Sequence, residues 1–297
     1  MSKLPIIMAP MFLVSNPQMV IEAGKAGVIG GFPLLNARPV SECAKWLEEV
    51  KTTLEDQLWA VNLISHEKAN KRYHEDVQLI QEYEPPIVIT SLGSPKKVLK
   101  MVHSYGGLVY SDVISIRHAK KAAENGVDGL VLVAAGAGGH GGTLSPFSFI
   151  QRVREFFDKT IILSGGITKG SDVAAAQLMG ADYAYMGTRF IVSEESSAQE
   201  EFKEMITGAR LEDIIYTDAF SGVHANYLIP SLRQQGIDPT TLEPKEGVDL
   251  AHMTDVKAWR DIWSAGQGVT AIKEVQSVRE IVQQLEREYE EKLALLK

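Results

Sequence analysis

Residues 129–189 hold three strand-like runs that each end in a glycine turn. GLVLV at Gly129–Val133 passes into AAGAGGHGG at Ala134–Gly142, TIILS at Thr160–Ser164 into GGIT at Gly165–Thr168, and YAYM at Tyr183–Met186 into GTR at Gly187–Arg189. Short, nearly unbroken apolar runs suit strands covered on both faces. Helical spacing over Ser171–Met179 separates the last two, and parallel neighbours need such a crossover. The same rhythm extends back to the start of the chain. Further runs lie at Pro5–Ala9, Val28–Gly31, Trp59–Leu63, Ile87–Ser91 and Gly107–Ser111, with helical patterns at Ser41–Leu54, Pro95–Tyr105 and Ser115–Asn125. Asn16–Pro17, Ser94–Pro95, Ser145–Pro146 and Ser171–Asp172 carry helix-start signals. Eight strands alternating with helices predict a closed (β/α)8 TIM barrel, whereas an open doubly wound sheet more often has five to seven.

The remainder divides into two parts. Residues 208–268 are rich in turn formers, include SGVHANYLIPSLRQQGIDP, and show no clean strand–helix period. They are expected to pack over one barrel end, either as a surface excursion or as a lid that shields a site from water. Glu274–Leu296 repeats apolar residues at Val275, Val278, Val282, Leu285, Tyr289 and Leu293, the pattern of one amphipathic helix. It is expected to pack on its own barrel, with a homodimer contact as the alternative. The divisions are therefore 1–207, 208–268 and 269–297.

Composition narrows the function. The 297 residues include 23% charged and 45% hydrophobic side chains, with a net charge of −8, so the basic stripe that nucleic-acid binding demands is lacking. No stretch reaches the ~18 uncharged apolar residues of a membrane span. Pro5 and Pro10 break the apolar start, so no signal peptide is read there and a cytoplasmic protein is expected. The single cysteine, Cys43, excludes an internal disulfide and a multi-thiolate metal site, and reads as a buried inert thiol. His66, His74, His103, His224 and His252 show no metal-ligand spacing and read as surface or packing residues; no metal is expected.

A TIM barrel places its active site at the C-terminal strand ends, often with phosphate held after strands seven and eight. Those turns are Ser164-Gly165-Gly166-Ile167-Thr168 and Met186-Gly187-Thr188-Arg189. Open N–H groups there, followed by helix N-termini, suit an anion. The glycine cluster after strand six matches G-x-G-x-x-G from Gly136 to Gly141, but the Rossmann acid is missing: the next strand ends at Ser164, and Asp158 precedes it. That cluster instead offers His140 on a loop nearly free of side chains, an imidazole able to exchange protons near neutrality. Ala9-Pro10-Met11 and Asn62 end strands on the same rim. They could present hydrogen bonds to a planar heteroaromatic ring, and Asn62 could equally cap a turn.

Taken in order, APM at Ala9–Met11, VNL at Val61–Leu63, AGGHGG at Ala137–Gly142, SGGI at Ser164–Ile167, MGTRF at Met186–Phe190 and WSAGQGV at Trp263–Val269 resemble the nitronate monooxygenase family, formerly called 2-nitropropane dioxygenases. The resemblance spans about Pro5 to Val269. It implies a (β/α)8 barrel carrying non-covalent FMN, and oxidation of alkyl nitronates by O2 to a carbonyl compound and nitrite. Gly165, Gly166, Gly187 and Thr188, with Met186 leading into the turn, would hold the FMN phosphate. Ala9, Pro10, Met11 and Asn62 would lie along the ring, Gly138 and Gly139 would let the loop approach it, and Gln267 would sit near its edge. His140 matches the family histidine proposed as base or as orienter of the nitro group. Val133 and Gly136 stand where many relatives carry an acid or amide, implying a wider, more apolar pocket. Asp112 stands where the quinone-reductase branch has a lysine, which points away from that activity. The rivals are an FMN-dependent NAD(P)H reductase of quinones or enoyl-acyl carrier protein, a non-flavin phosphate-binding barrel, and a flavin-binding partner protein without turnover of its own.

Overall fold

The computed structural model describes residues 4–248 and 260–295. Residues 249–259 of the 208–268 segment, with His252, and Leu296 of the expected tail helix lie outside the described residues. Eight parallel strands close on themselves: β1 (Ile6–Met8), β2 (Ile29–Pro33), β3 (Trp59–Ile64), β4 (Ile87–Ser91), β5 (Leu108–Val113), β6 (Gly129–Val133), β8 (Thr160–Ser164) and β9 (Tyr183–Met186). Closure is made by β1 on β9, with Ile6 opposite Ala184, Ile7 opposite Tyr185 and Met8 opposite Met186. The crossovers are α1 (Pro17–Lys25), α2 (Val40–Leu54), α3 (Tyr73–Tyr83), α4 (Lys96–Ser104), α5 (Ile116–Glu124), α6 (Pro146–Arg154) and α7 (Gly170–Leu178), with the single turn α8 (Thr188–Ile191) after β9. The expected (β/α)8 barrel is the observed one.

Alternate strand residues serve two cores. Ile7, Ala60, Ile89, Val131 and Ile162 cluster inside the barrel, while Ile6, Val61, Val88, Leu130 and Leu163 join the apolar faces of the helices. Each buried valine, leucine or isoleucine among them contributes about 1.5–3 kcal/mol, which is why the runs carry almost no polar residues below the rim. Asn16 starts α1 as its sequence suggests, accepting from Met19 N at 3.0 Å. Cys43 is buried in α2, and burial pushes its thiol up to about 12, so it is inert at neutral pH.

Three expectations change. Segment 208–268 is not without strands: β10 (Ile214–Thr217) and β11 (Ala225–Leu228) form an antiparallel sheet with β7 (Gly139–His140), a two-residue strand in the glycine loop. Ala225 lies opposite His140 and Asn226 opposite Gly139, so the segment folds back onto the C-terminal rim of the barrel. α9 (Glu200–Gly208) and α10 (Ile229–Gln234) flank these strands. The start of α7 also differs from Ser171–Asp172. Lys169 is its N-cap, and Asp172, within the first turn, reaches back to accept from Thr168 N and Lys169 N, both at 2.9 Å. Finally, the tail helix runs over Val278–Ala294 rather than from Glu274, because Ser277 and Glu280 form a reciprocal cap that fixes its first turn. It packs on α7 so closely that a Cβ at Gly170 would lie 2.1 Å from the Leu285 carbonyl oxygen.

Candidate active site

At the C-terminal end of the barrel, two neighbouring turns expose backbone donors. Gly165 (φ +128°) and Gly166 (φ +70°) follow β8 in conformations that L side chains rarely adopt. Their N–H groups, and that of Gly187 after β9, have no hydrogen-bond acceptor among the described residues. The helix behind the first turn is not available to a ligand in the same way. The N-terminus of α7 is covered by Asp172, and Gly170 N donates to Glu288 Oε2 at 2.8 Å. The N-terminus of α7 therefore offers an anion less than expected, because two carboxylates already take Lys169 N and Gly170 N among its first donors.

The Ala9–Met11 turn is fixed from behind. Met11 N donates to Ser15 Oγ at 2.9 Å, and Asn36 Nδ2 donates to the carbonyls of Met11 and Ser15. This sets Met11 beside Gly187, where a Cβ would meet the Met11 sulfur at 3.4 Å. The glycine loop is held by the segment around Ser264. Gly139 N donates to Ser264 Oγ, Asn226 Nδ2 donates to the Ala137 carbonyl, and Gly266 N donates to Thr188 Oγ1 at 2.9 Å. A Cβ on Gly138 would lie 2.8 Å from Gly266 N, so the two backbones touch.

His140 is half-buried, with Nε2 3.0 Å from Ser221 Oγ. Across the rim, Asn62 Nδ2 donates to the Ile89 carbonyl at 3.1 Å and to Ser91 Oγ at 2.6 Å, and Ser91 donates in turn to Asp112 Oδ2. Burial pushes the Asp112 carboxyl up to about 6, opposed by the smaller effect of the Ser91 hydrogen bond.

One cavity of about 780 Å³ gathers these parts. Ala9, Pro10, Met11, Asn62, Gly138, Gly139, His140, Gly165, Gly166, Gly187 and Thr188 all line it, as do Ser91 and Asp112. Two residues expected at the site lie off its wall. Met186 is fully buried in the helix-facing core and only its carbonyl works at the rim, accepting from Ala9 N at 3.0 Å. Gln267 is exposed, and its N–H donates to the Gly136 carbonyl at 2.9 Å. Ser221 was not legible in the sequence, since it lies 81 residues from His140 in a run of turn formers. The link through Ser91 and Asp112 had one available signal, polar residues at the ends of two adjacent apolar strands.

A family model described as nitronate monooxygenase matches residues 32–288. The chain belongs to the nitronate monooxygenase family. Nitronate monooxygenase of Paraburkholderia phytofirmans is 24% identical, with 99% of this chain and 94% of that protein covered. FabK of Thermotoga maritima shares the structure with a TM-score of 0.82 and 26% identity, covering 99% of this chain and 95% of that one. Nitroalkane oxidase of Streptomyces ansochromogenes has a TM-score of 0.83 at 23% identity, covering 100% and 98%, a likeness of fold. Membership of the nitronate monooxygenase family makes this protein an oxidoreductase, in a family of flavoenzymes. No helix among the described residues is long and apolar enough to cross a membrane.

Proposed function

We propose that the protein is an FMN-dependent nitronate monooxygenase that oxidises alkyl nitronates with O2 to a carbonyl compound and nitrite. One juxtaposition carries this reading: the open N–H groups of Gly165, Gly166 and Gly187 and the imidazole of His140 line the same cavity. The residues present fit a flavin mononucleotide. Adjacent turns with uncommitted donors suit a phosphate, and the thin, glycine-built loop leaves width for a planar ring.

The phosphate is assigned to the Gly165, Gly166 and Gly187 N–H groups and the Thr188 hydroxyl. Ala9, Pro10, Met11 and Asn62 border the ring, and Gly138 and Gly139 keep the loop close to it. Met186 acts through the carbonyl that holds Ala9, and Gln267 through its main-chain bond to Gly136. Bound FMN supplies the electron transfer and the reaction with oxygen. His140 as imidazolium attracts the nitronate anion, and as neutral imidazole it accepts the α-proton of a nitroalkane. Residues 1–207 form the FMN-binding unit and 208–268 complete the site as a cover that limits water, with 269–297 bracing the barrel.

The test is turnover by FMN-loaded protein in air. Oxygen uptake with nitrite release from an alkyl nitronate supports the reading. A colourless protein that takes up no added FMN would overturn it, as would FMN-loaded protein that oxidises NAD(P)H and leaves nitronates untouched.

A further inference from the structure

Asn62, Ser91 and Asp112 stand on three consecutive strands, β3, β4 and β5, and all line the cavity. Their hydrogen bonds run one way. Both directions available to the Asn62 amide N–H2 go to the Ile89 carbonyl and Ser91 Oγ, and the single Ser91 hydroxyl proton goes to Asp112 Oδ2. The trio therefore offers the cavity Asn62 Oδ1 as an acceptor, and offers a donor only if Asp112 is protonated. Asp112 Oδ1 is buried and has no hydrogen-bond partner among the described residues. A buried polar atom left this way is costly unless a ligand or water completes it.

The groups around Asp112 do not favour its charge. Val131, opposite it in register on β6, and Val133 beyond are apolar. On β4 the polar neighbour is Ser91, and across the barrel Tyr185 is the ionisable group coupled to it, its phenol pushed well above its ordinary value by burial and by Asp112. No cation pairs with the carboxyl among the described residues. A bound molecule that excludes water and brings its own phosphate charge disfavours the carboxylate further.

We propose that Asp112 enters the cofactor-bound state as a neutral carboxylic acid, its carboxyl O–H donated to a carbonyl or imine acceptor of the flavin ring, so that FMN binding at neutral pH takes up a proton at this residue. The inference rests on the FMN reading above. It makes Asp112 a cofactor-binding group rather than the mere absence of a lysine.

The experiment is the FMN dissociation constant from about pH 5 to about pH 8 for wild type, Asp112→Asn and Ser91→Ala. Titration of the FMN phosphate is common to all three and cancels in the comparison. Relative to Asp112→Asn, which keeps a neutral donor, wild-type affinity should fall roughly tenfold per pH unit above about pH 6. Ser91→Ala, which removes the hydrogen bond favouring the carboxylate, should move that break upward. Infrared difference spectra of FMN-loaded wild type at about pH 7.5 should show a protonated-carboxyl stretch that Asp112→Asn lacks. Parallel pH slopes in wild type and Asp112→Asn, or no such band, overturn the proposal while leaving the FMN reading intact. Failure of wild type to bind FMN at any pH overturns both. Should Asp112→Asn fail to fold, the Ser91→Ala shift and the wild-type band decide alone.

Discussion

Ser221 Oγ lies 3.0 Å from Nε2 of His140 and donates its proton to the Val223 carbonyl, also at 3.0 Å. With the hydroxyl proton engaged there, the Ser221 oxygen is placed to accept a hydrogen bond from a protonated Nε2. Ser221 is fully buried. The segment folded over the barrel mouth thus braces the imidazole through Nε2.

Removing that anchor is expected to lower activity without unfolding the protein. For Ser221→Ala, kcat/KM for nitronate should fall by roughly tenfold, the effect of one lost positioning hydrogen bond. His140→Ala should lose on the order of 10²–10⁴. Because Ser221 acts through His140, the double variant should be no slower than His140→Ala alone. A further loss in the double variant would show that Ser221 acts independently of the imidazole.

Gly266→Ala should be destabilising. Its Cβ would sit 2.8 Å from the Gly136 carbonyl oxygen and 3.0 Å from Gly138 N, both backbone atoms that cannot rotate away. Overpacking of this kind costs about 1–3 kcal/mol, so thermal unfolding should begin several degrees lower. An unchanged unfolding temperature would mean that the glycine loop and the Ser264 segment are not packed this tightly.

Gly166→Ala should separate ligand affinity from stability. A Cβ there meets nothing within 4 Å, and the left-handed φ of +70° costs an alanine only about 1 kcal/mol. The methyl group would nonetheless stand beside uncommitted N–H donors. FMN should bind at least tenfold more weakly, while riboflavin, which has no phosphate, should be affected much less. Equal losses for both would place the phosphate elsewhere.

Asp112 also links stability to pH. Its folded-state value of about 6 lies above the ordinary 3.8. Folding therefore favours the protonated form, and stability is lost as pH rises from about 4 through about 6. Asp112→Asn removes that penalty. The ligand-free variant should be more stable than wild type by on the order of 3 kcal/mol at about pH 7.5, with the difference vanishing below about pH 4. Denaturant unfolding at the two pH values measures it, and a variant less stable at both would contradict the assignment.

The barrel was legible because its strands are buried on both sides, so apolar composition alone marks them. Their ends were less so: β2 continues through Phe32 and Pro33 because these pair with Val61 and Asn62, and β5 continues to Val113 opposite Leu132. The β10–β11–β7 sheet left no local period, since its strands are four, four and two residues long and β7 lies far upstream of its partner. Ser171–Asp172 resembles a helix start in sequence because a first-turn acid and an N-cap acid look alike there, whereas Lys169 is the N-cap of α7. His140 and the glycine turns were legible from spacing and fold. Ser221 and the link from Asn62 through Ser91 to Asp112 depend on which side chains face one another across the rim, and that is fixed only when the sheet closes.

Anaerobic mixing of FMN-loaded protein with an alkyl nitronate, followed by visible absorbance, addresses the proposed chemistry without interference from oxygen. Rapid loss of the oxidised-flavin band, slowed strongly in His140→Ala, is the expected outcome. A band that persists with nitronate but bleaches with NAD(P)H would contradict the nitronate assignment and make this barrel a reductase.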